Sequence, residues 1–387
     1  MTSFFHGVEI VEVSDGFSAV TTPSSSVIGL IGIDAKADEA TFPLNTPILL
    51  SGDKREALTK LGAGSVLAQA IEAIELQQCS PIVVVRVAEG ETDEETLKNL
   101  IGGIDSETGA YTGVQAFCGA ESMVHVVPKI LIAPGWFKGG TTDQADPLIT
   151  AMLPVAEKLK AVVIADGPNT NDDAAITAAK AAGSERVYLV DPYVLNTAGV
   201  AVPASPYAAG VLSRVEEEKG FWTSPSNNTI SGVTGTVRPV DFSLGNANCR
   251  AQKLNEGNVA TIIQHDGYRL FGNRSTSPDT KWQFLSVRRT ADVLHDSLVR
   301  AHFWAVDRNL SKTYFDDVAE SVNAYISELM QKGALLGGSC TPSKEMNSSA
   351  NLANGHVYFD LEFTPTYPTE RLTFRSCLVQ SALEEVA

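Results

Sequence analysis

The 387-residue chain predicts a multidomain mixture of α/β and α+β architecture: a layered α/β domain with a largely parallel sheet, then a smaller α+β domain, flanked by extended strand arms. Three features carry this expectation. Between Val27 and Pro192, short β-branched runs alternate with helical periods, which is the pattern of successive βαβ units. Beyond Asn246 the pattern changes to two long helical periods followed by a cleanly alternating strand. At each end, a strand-like run is separated from the body by a tether rich in Pro, Ser or Thr. The resulting division is an N-terminal arm at 1–23, an α/β domain at 24–245, an α+β domain at 246–366 and a C-terminal arm at 367–387.

Taken in order, Val8 to Val13 (VEIVEV) reads as a short strand, with Val8, Ile10, Val11 and Val13 as its apolar members. The Asp15-Gly16 turn and a Thr/Ser/Pro run to Ser26 follow. Val27 to Ile33 (VIGLIGI) opens the α/β pattern, with helices near Asp53 to Leu61 and Ser65 to Gln77 and a strand at Pro81 to Val87. Such uninterrupted apolar strands belong to a sheet buried on both faces. Thr92 followed by Glu95 is a capping-box pattern for a helix through Leu100. The clearest run of units is strand Lys129 to Ala133, helix Gln144 to Leu159, strand Ala161 to Ala165, helix Asp172 to Ala182 and strand Arg186 to Val190. Each crossover is long enough to join parallel neighbours. Ser205 to Lys219 supplies a further helix.

In the second domain, Val259 to Gln264 reads as a strand and leads to two long helices separated near Asp307 to Ser311. Val318, Val322, Ile326 and Leu329 form one apolar stripe on the second helix, and Lys332-Gly333 suits its end. A Gly-, Ser- and Asn-rich stretch from Gly337 to Gly355 reads as a loop. Val357, Phe359, Leu361 and Phe363 alternate with Tyr358, Asp360 and Glu362, which marks a strand buried on one face. After two prolines, Leu372 to Val379 (LTFRSCLV) restores extended pattern, with Leu372, Phe374, Leu378 and Val379 as its apolar members.

Charge is uneven along the chain. Residues 1–245 carry 15 basic and 30 acidic side chains, whereas 246–387 carry 14 and 16. The acidic first part argues against nucleic-acid binding, which draws on excess Lys and Arg. Residues 250–312 reverse the sign, with 10 basic and 6 acidic groups, and can face an acidic protein surface. No run of about 18 apolar residues is present, so membrane insertion is not expected, and the first residues lack a signal-peptide pattern. The chain is therefore expected in the cytoplasm of the cell that makes it. Five widely spaced cysteines and six scattered histidines offer neither a disulfide framework nor a metal site.

A βαβ domain invites an enzymatic or nucleotide-binding reading, because ligands bind beyond the carboxyl ends of parallel strands. Asp166 and Asp191 stand at two such ends, each near a proline. A metal ligand or general base is one use of them; turns whose carboxylates accept backbone hydrogen bonds are the other, and the absence of a partner at motif spacing favours the turns. No phosphate-loop, dinucleotide, zinc-protease or nucleophile-elbow motif occurs, and no cofactor is expected. Gly139-Gly140-Thr141-Thr142 lacks the lysine that a phosphate loop requires.

The most informative stretches are Gly220 to Val240 (GFWTSPSNNTISGVTGTVRPV) and Asp266 to Ser277 (DGYRLFGNRSTS). They set Phe221, Trp222 and Tyr268 as large anchors, and Arg238, Arg269 and Arg274 as forked donors, among turn residues. Two uses stay open: packing two domains within one subunit, or contact between subunits.

These stretches, with Ser3 to Val8, Ala165 to Asn169 and Trp304 to Arg308, resemble in order and spacing the contractile tail sheath family of P2-like bacteriophages and R-type bacteriocins. Phe271 departs from the Trp that many relatives carry but keeps an aromatic. The resemblance implies a structural subunit and not an enzyme. It implies an outer α/β domain, an inner C-terminal domain, and terminal arms that add strands to neighbours, with hexameric rings stacked around an inner tube and contraction driving the tube through a cell envelope. Implied partners are further copies, the tube protein, and baseplate and terminator proteins, with a final location in a phage tail or released particle. On this reading the two arms are intersubunit strands, and Arg288, Arg289 and Arg300, on one long helix of the net-positive stretch, are expected on the tube-facing surface.

Overall fold

The computed structural model describes residues 20–378, apart from positions 23, 53, 54, 142, 143 and 247. Its centre is a six-stranded sheet made of β1 (Ile28–Ile33), β2 (Pro47–Leu50), β3 (Ile82–Val87), β4 (Ile130–Ile132), β5 (Val162–Asp166) and β6 (Val187–Val190). The order is β2-β3-β1-β4-β5-β6, and every pairing is parallel except that of the edge strand β2 with β3. The chain builds outward from β1 in one direction and then returns to build in the other. Helices therefore cover both faces.

Alternate residues of each strand enter different cores. Leu30, Val84, Ile132 and Ile164 face α1 (Val66–Glu75) and α5 (Ser205–Lys219), whereas Ile31, Val85, Leu131 and Val163 face α3 (Pro147–Leu159) and α4 (Asp172–Ala182). This is why the strands read as unbroken apolar runs, each such side chain contributing about 1.5–3 kcal/mol of burial. The helix α2 (Asp93–Ile101) starts as expected, with the Thr92 hydroxyl accepting from Glu95 N–H. Its box is only half formed, because the Glu95 carboxylate accepts from Glu91 N–H instead.

The expected domain division at 246 does not coincide with a break in packing. After α6 (Arg250–Glu256), the hairpin β8 (Thr261–Gln264) and β9 (Tyr268–Phe271) pairs with the short β7 (Asn228–Thr229). Ala260, Ile262, Leu270 and Leu285 share the core of the central sheet. Backbone bonds from Asp191 N–H to Ala260 O and from Ala260 N–H to Leu189 O tie this hairpin to the edge at β6. The separate second core is built on α7 (Leu285–Ala301), where Val293 and Leu294 meet Val322, Tyr325, Ile326 and Leu329 of α8 (Lys312–Gln331), and it takes in Val20 and Phe221 from earlier in the chain. The Asp266 stretch is thus largely a hairpin. Asp266 and Gly267 take positive φ at its turn, a conformation that suits Asp-Gly between strands.

Over α7 and α8 lies an antiparallel ribbon of β10 (Leu335–Pro342) and β11 (Phe359–Pro365). The Gly-rich sequence at 337–338 suggested a loop, but it is strand. A Cβ on Gly338 would stand 2.8 Å from Glu362 O and 3.2 Å from Ile326, so glycine there permits close packing of ribbon on helix. Residues 366–378 follow without helix or strand, including Leu372 to Leu378 of the expected terminal strand. Val379, and the expected strand members Val8, Ile10, Val11 and Val13, lie outside the described residues.

Candidate functional site: the domain joint and the exposed arm

The two cores meet along α7, and the meeting face is charged. Arg289, Asp292, Asp296 and Arg300 fall on one stripe at helical spacing. Arg289 donates from Nε and Nη2 to the two carboxylate oxygens of Glu216 on α5, at 2.7 and 2.8 Å. It also donates to Lys129 O and Ser25 O. Both partners' side chains are essentially inaccessible, at 1% and 0% exposure. Arg186 makes a bidentate pair with Asp292 at 2.7 and 2.9 Å, and Arg288 adds a third bond to the same carboxylate while stacking over Trp282. Lys129 Nζ lies 3.1 Å from Asp296, and burial lowers its pKa despite that partner. Arg300 closes the row, 3.3 Å from Asp296 and 3.4 Å from Glu121.

This geometry corrects the expectation for two of the three arginines. Arg288 and Arg289 are buried against the α/β domain and present no charge on an outer surface of the subunit. Arg300 alone keeps a side chain about half exposed. The carboxylate partners Glu216, Asp292 and Asp296 escaped sequence reasoning, although the spacing of charges along α7 was a visible signal.

Within the subunit, the aromatic and arginine anchors of the two informative stretches bind parts of the same chain together. Phe221 is buried in the second core and meets Trp222 edge to face at 5.0 Å. Gly220 makes that corner possible, because its φ is +94° and a Cβ there would stand 2.4 Å from the Trp222 ring. Tyr268 Oη donates to Thr234 O, and Arg269 to His265 O and Asn227 O, binding the hairpin to the preceding loop. Arg274 donates from Nε and Nη2 to the two Glu370 oxygens at 2.7 and 2.6 Å, which straps the root of the C-terminal segment to the body.

The strand-end aspartates are likewise engaged. Asp166 accepts from Ser205 N–H and Oγ, both at 2.7 Å, and so caps α5, where negative charge suits the helix dipole. Asp191 accepts from Asn169 N–H at 2.9 Å and pairs with Arg238, itself beside Asp172. Burial raises both carboxyls to about 6, against the opposing effect of these partners. Their donors are structural, as the turn reading holds. Among the described residues no cluster of three His, Cys, Asp or Glu side chains forms a metal site, and no helix is long and apolar enough to cross a membrane.

Among the exposed large apolar side chains, two groups stand close together along the chain. One is the end of α7 and the turn after it, with Val299, Phe303 and Val306 at 74%, 80% and 60% exposure. The other is the C-terminal segment, where Leu372, Phe374 and Leu378 reach 72%, 85% and 88%.

A family model described as the phage tail sheath protein central domain matches residues 109–276, and one described as the phage tail sheath C-terminal domain matches residues 277–378. A prophage major tail sheath protein of Pseudomonas aeruginosa (strain UCBPP-PA14) is 42% identical over 99% of both chains. The tail sheath protein of Escherichia phage P2 is 32% identical over 99% of this chain and 98% of its own. Among solved structures, the contracted sheath complex of an extracellular contractile injection system, PVC, superposes with a TM-score of 0.71 at 15% identity, covering 99% of each chain. That likeness concerns the fold.

Proposed function

Because the chain belongs to the phage tail sheath protein family, a family of structural sheath subunits, we propose that it polymerises as stacked hexameric rings around an inner tube and contracts to drive the tube through a target envelope. It acts by assembly and not as an enzyme. The observation that carries this reading is the C-terminal segment. From 371 to 378 every residue is exposed, none lies in a strand, and Leu372, Phe374 and Leu378 share one face of an extended chain. An isolated subunit gains nothing by holding such side chains in water. A neighbour that accepts the segment as an added strand buries them and supplies backbone hydrogen bonds. Head-to-tail contacts of this kind propagate into polymers.

The N-terminal strand at Val8 to Val13 is assigned the same use. The buried joint along α7 favours a subunit that moves as one body, with rearrangement occurring between subunits on tethered arms. For the tube, Arg300 remains from the original set and is joined by the exposed Val299 and Phe303 next to it. Assembly takes place in the bacterial host cytoplasm, with baseplate and terminator proteins at the ends, and the product joins a tail or released particle.

Negative-stain microscopy of the purified chain tests the proposal. Long hollow tubes are expected from the full chain, and deletion of 372–387 or of 1–20 is expected to leave folded particles that form none. Intact tube formation by either deletion would remove that arm from the assignment. Arg300→Glu combined with Phe303→Asp is expected to keep sheath polymer but lose co-purification with tube.

A further inference from the structure

The second core is open on one side. A groove of about 800 Å³ is walled by Leu298, Val318 and Val322 of α7 and α8 and by Cys340, Phe359 and Leu361 of the ribbon. A space of that size takes several side chains. Left to water, it costs the subunit full burial of Phe359 and Leu361, both of which are only partly covered. One polar atom in the lining narrows what can fill it. His302 Nδ1–H donates to Leu298 O at 2.8 Å, which makes Nε2 of the neutral ring an acceptor, and Nε2 is buried without a partner among the described residues. An extended peptide suits both demands, since it brings N–H donors together with apolar side chains.

The described chain begins next to this groove. Val20 is buried in the same core cluster as Val322 and Cys340, two residues of the lining. Thr22 Oγ1 lies 2.9 Å from Tyr325 Oη, one turn along α8 from Val322, and Tyr325 Oη lies 3.0 Å from Ser297 Oγ, the neighbour of Leu298 on α7. Both helices thus hold the chain at positions that adjoin the groove. Nineteen residues precede Val20, and they carry Phe4, Phe5 and Phe17 besides the apolar members of Val8 to Val13. Phe17 is three positions from Val20, a span of about 10 Å in extended chain, so it reaches the lining without slack.

We infer that, in a subunit not yet joined to others, residues 1–19 of the same chain occupy this groove, with Phe17 among the side chains that fill it. Connectivity decides between a chain's own segment and another copy's. A segment tethered through Val20 meets its own groove at an effective concentration in the millimolar range, whereas segments of other copies at about 1 µM protein are on the order of a thousandfold more dilute. The free subunit therefore covers its groove and its own apolar segment in one step. The seating stands apart from the sheath reading, and only its consequence rests on that reading: the segment is withheld from neighbours until contacts in a growing polymer displace it, so assembly starts slowly and extends from existing ends.

The test uses the full chain with photoreactive benzoylphenylalanine in place of Phe17, prepared with natural and with heavy isotopes, mixed, and irradiated across a dilution series. Mass spectrometry then separates links within one chain from links between light and heavy chains. At about 1 µM, links within one chain to groove residues such as Val318, Val322 or Leu361 are expected to exceed links between chains by about tenfold or more, and to give way to them only as polymer appears. Links mainly between chains at every concentration, or links within one chain that fall outside the groove, overturn the inference. As a second measurement, full-length Val13→Asp with Phe17→Asp is expected to bind the apolar dye 1-anilinonaphthalene-8-sulfonate with several-fold higher fluorescence than the unaltered chain, and a synthetic peptide of residues 1–19 to reverse the gain. Circular dichroism checks that the fold is kept, and a dye signal that does not rise, or that the peptide leaves in place, also overturns the inference. If the unaltered chain forms no polymer at any concentration, the sheath reading falls, while links within one chain to the groove still uphold the seating.

Discussion

Replacing Arg289 by Met asks whether the domain joint is held as its geometry implies. The guanidinium donates to four acceptors, the two Glu216 oxygens and the carbonyls of Lys129 and Ser25, and its side chain is 1% exposed. Met fills much of the volume but donates nothing, so the Glu216 carboxylate is left charged and buried without its partner. Removing one member of such a pair costs about 3–5 kcal/mol, most of it the desolvation of the remaining charge. With both domains unfolding together, 4 kcal/mol corresponds to a fall in Tm of roughly 5 °C for a chain of this length. Urea denaturation followed by tryptophan fluorescence, with calorimetry beside it, measures the loss. Arg289→Met with Glu216→Met is expected to be less damaging than Arg289→Met alone, because no charge is then stranded. A single-mutant loss below about 1 kcal/mol, the range of exposed pairs, would refute the view that the joint rests on buried ions.

Further expectations concern local devices. Asp166 has a folded pKa of about 6 against 3.8 when unperturbed, so its contribution is fully present below about 3.8 and is lost as pH rises through 6. Asp166→Asn keeps an acceptor for Ser205 N–H and should remove about 1 kcal/mol of the stabilisation gained between pH 7 and pH 5; an unchanged pH slope in urea titrations would contradict this. Gly220→Ala forces a Cβ against the Trp222 ring at positive φ and is expected to destabilise by about 2 kcal/mol with altered tryptophan emission, whereas a neutral effect would show that the corner can shift. Arg274→Ala releases a partly exposed clasp, so stability should change by less than about 1 kcal/mol while hydrogen exchange at 366–370 accelerates. Unchanged exchange there would mean that Tyr367 on Phe284 suffices.

The α/β layer was legible because its residues obey one rule at a time. Strands such as Ile82–Val87 are buried on both faces and need only apolar β-branched side chains, and α5 begins and ends at the residues its pattern marked. Boundaries set by distant contacts were not legible. The hairpin at 261–271 belongs to the first core because Ala260 bonds to Leu189 and Asp191, a pairing nearly 70 residues away in sequence that no local period encodes. The strand through Gly337 and Gly338 was hidden because glycine in a turn and glycine under a close backbone look alike in sequence. The arginines of α7 misled for a related reason. A charged stripe on a helix reads as a wet face unless its counter-charges are known, and Glu216, Arg186 and Lys129 lie 73, 106 and 167 positions from their partners.

That error bears on how a sheath subunit of this kind can change state. With Arg288 and Arg289 on an outer surface, the helix would be free to reorient against the α/β domain, and each would serve as a weak, salt-sensitive contact. Buried, they set a high barrier to hinge motion, because rotating α7 by even part of a turn would strand Asp292 and Glu216 without donors in a dry interface. Flexibility is left to segments with few internal bonds, and the described stretch that best fits is 371–378, beyond the Arg274 clasp. On the proposed reading, a lattice of stiff bodies joined by such segments would rearrange by sliding bodies past one another while the joined strands persist, with no change of fold within the subunit.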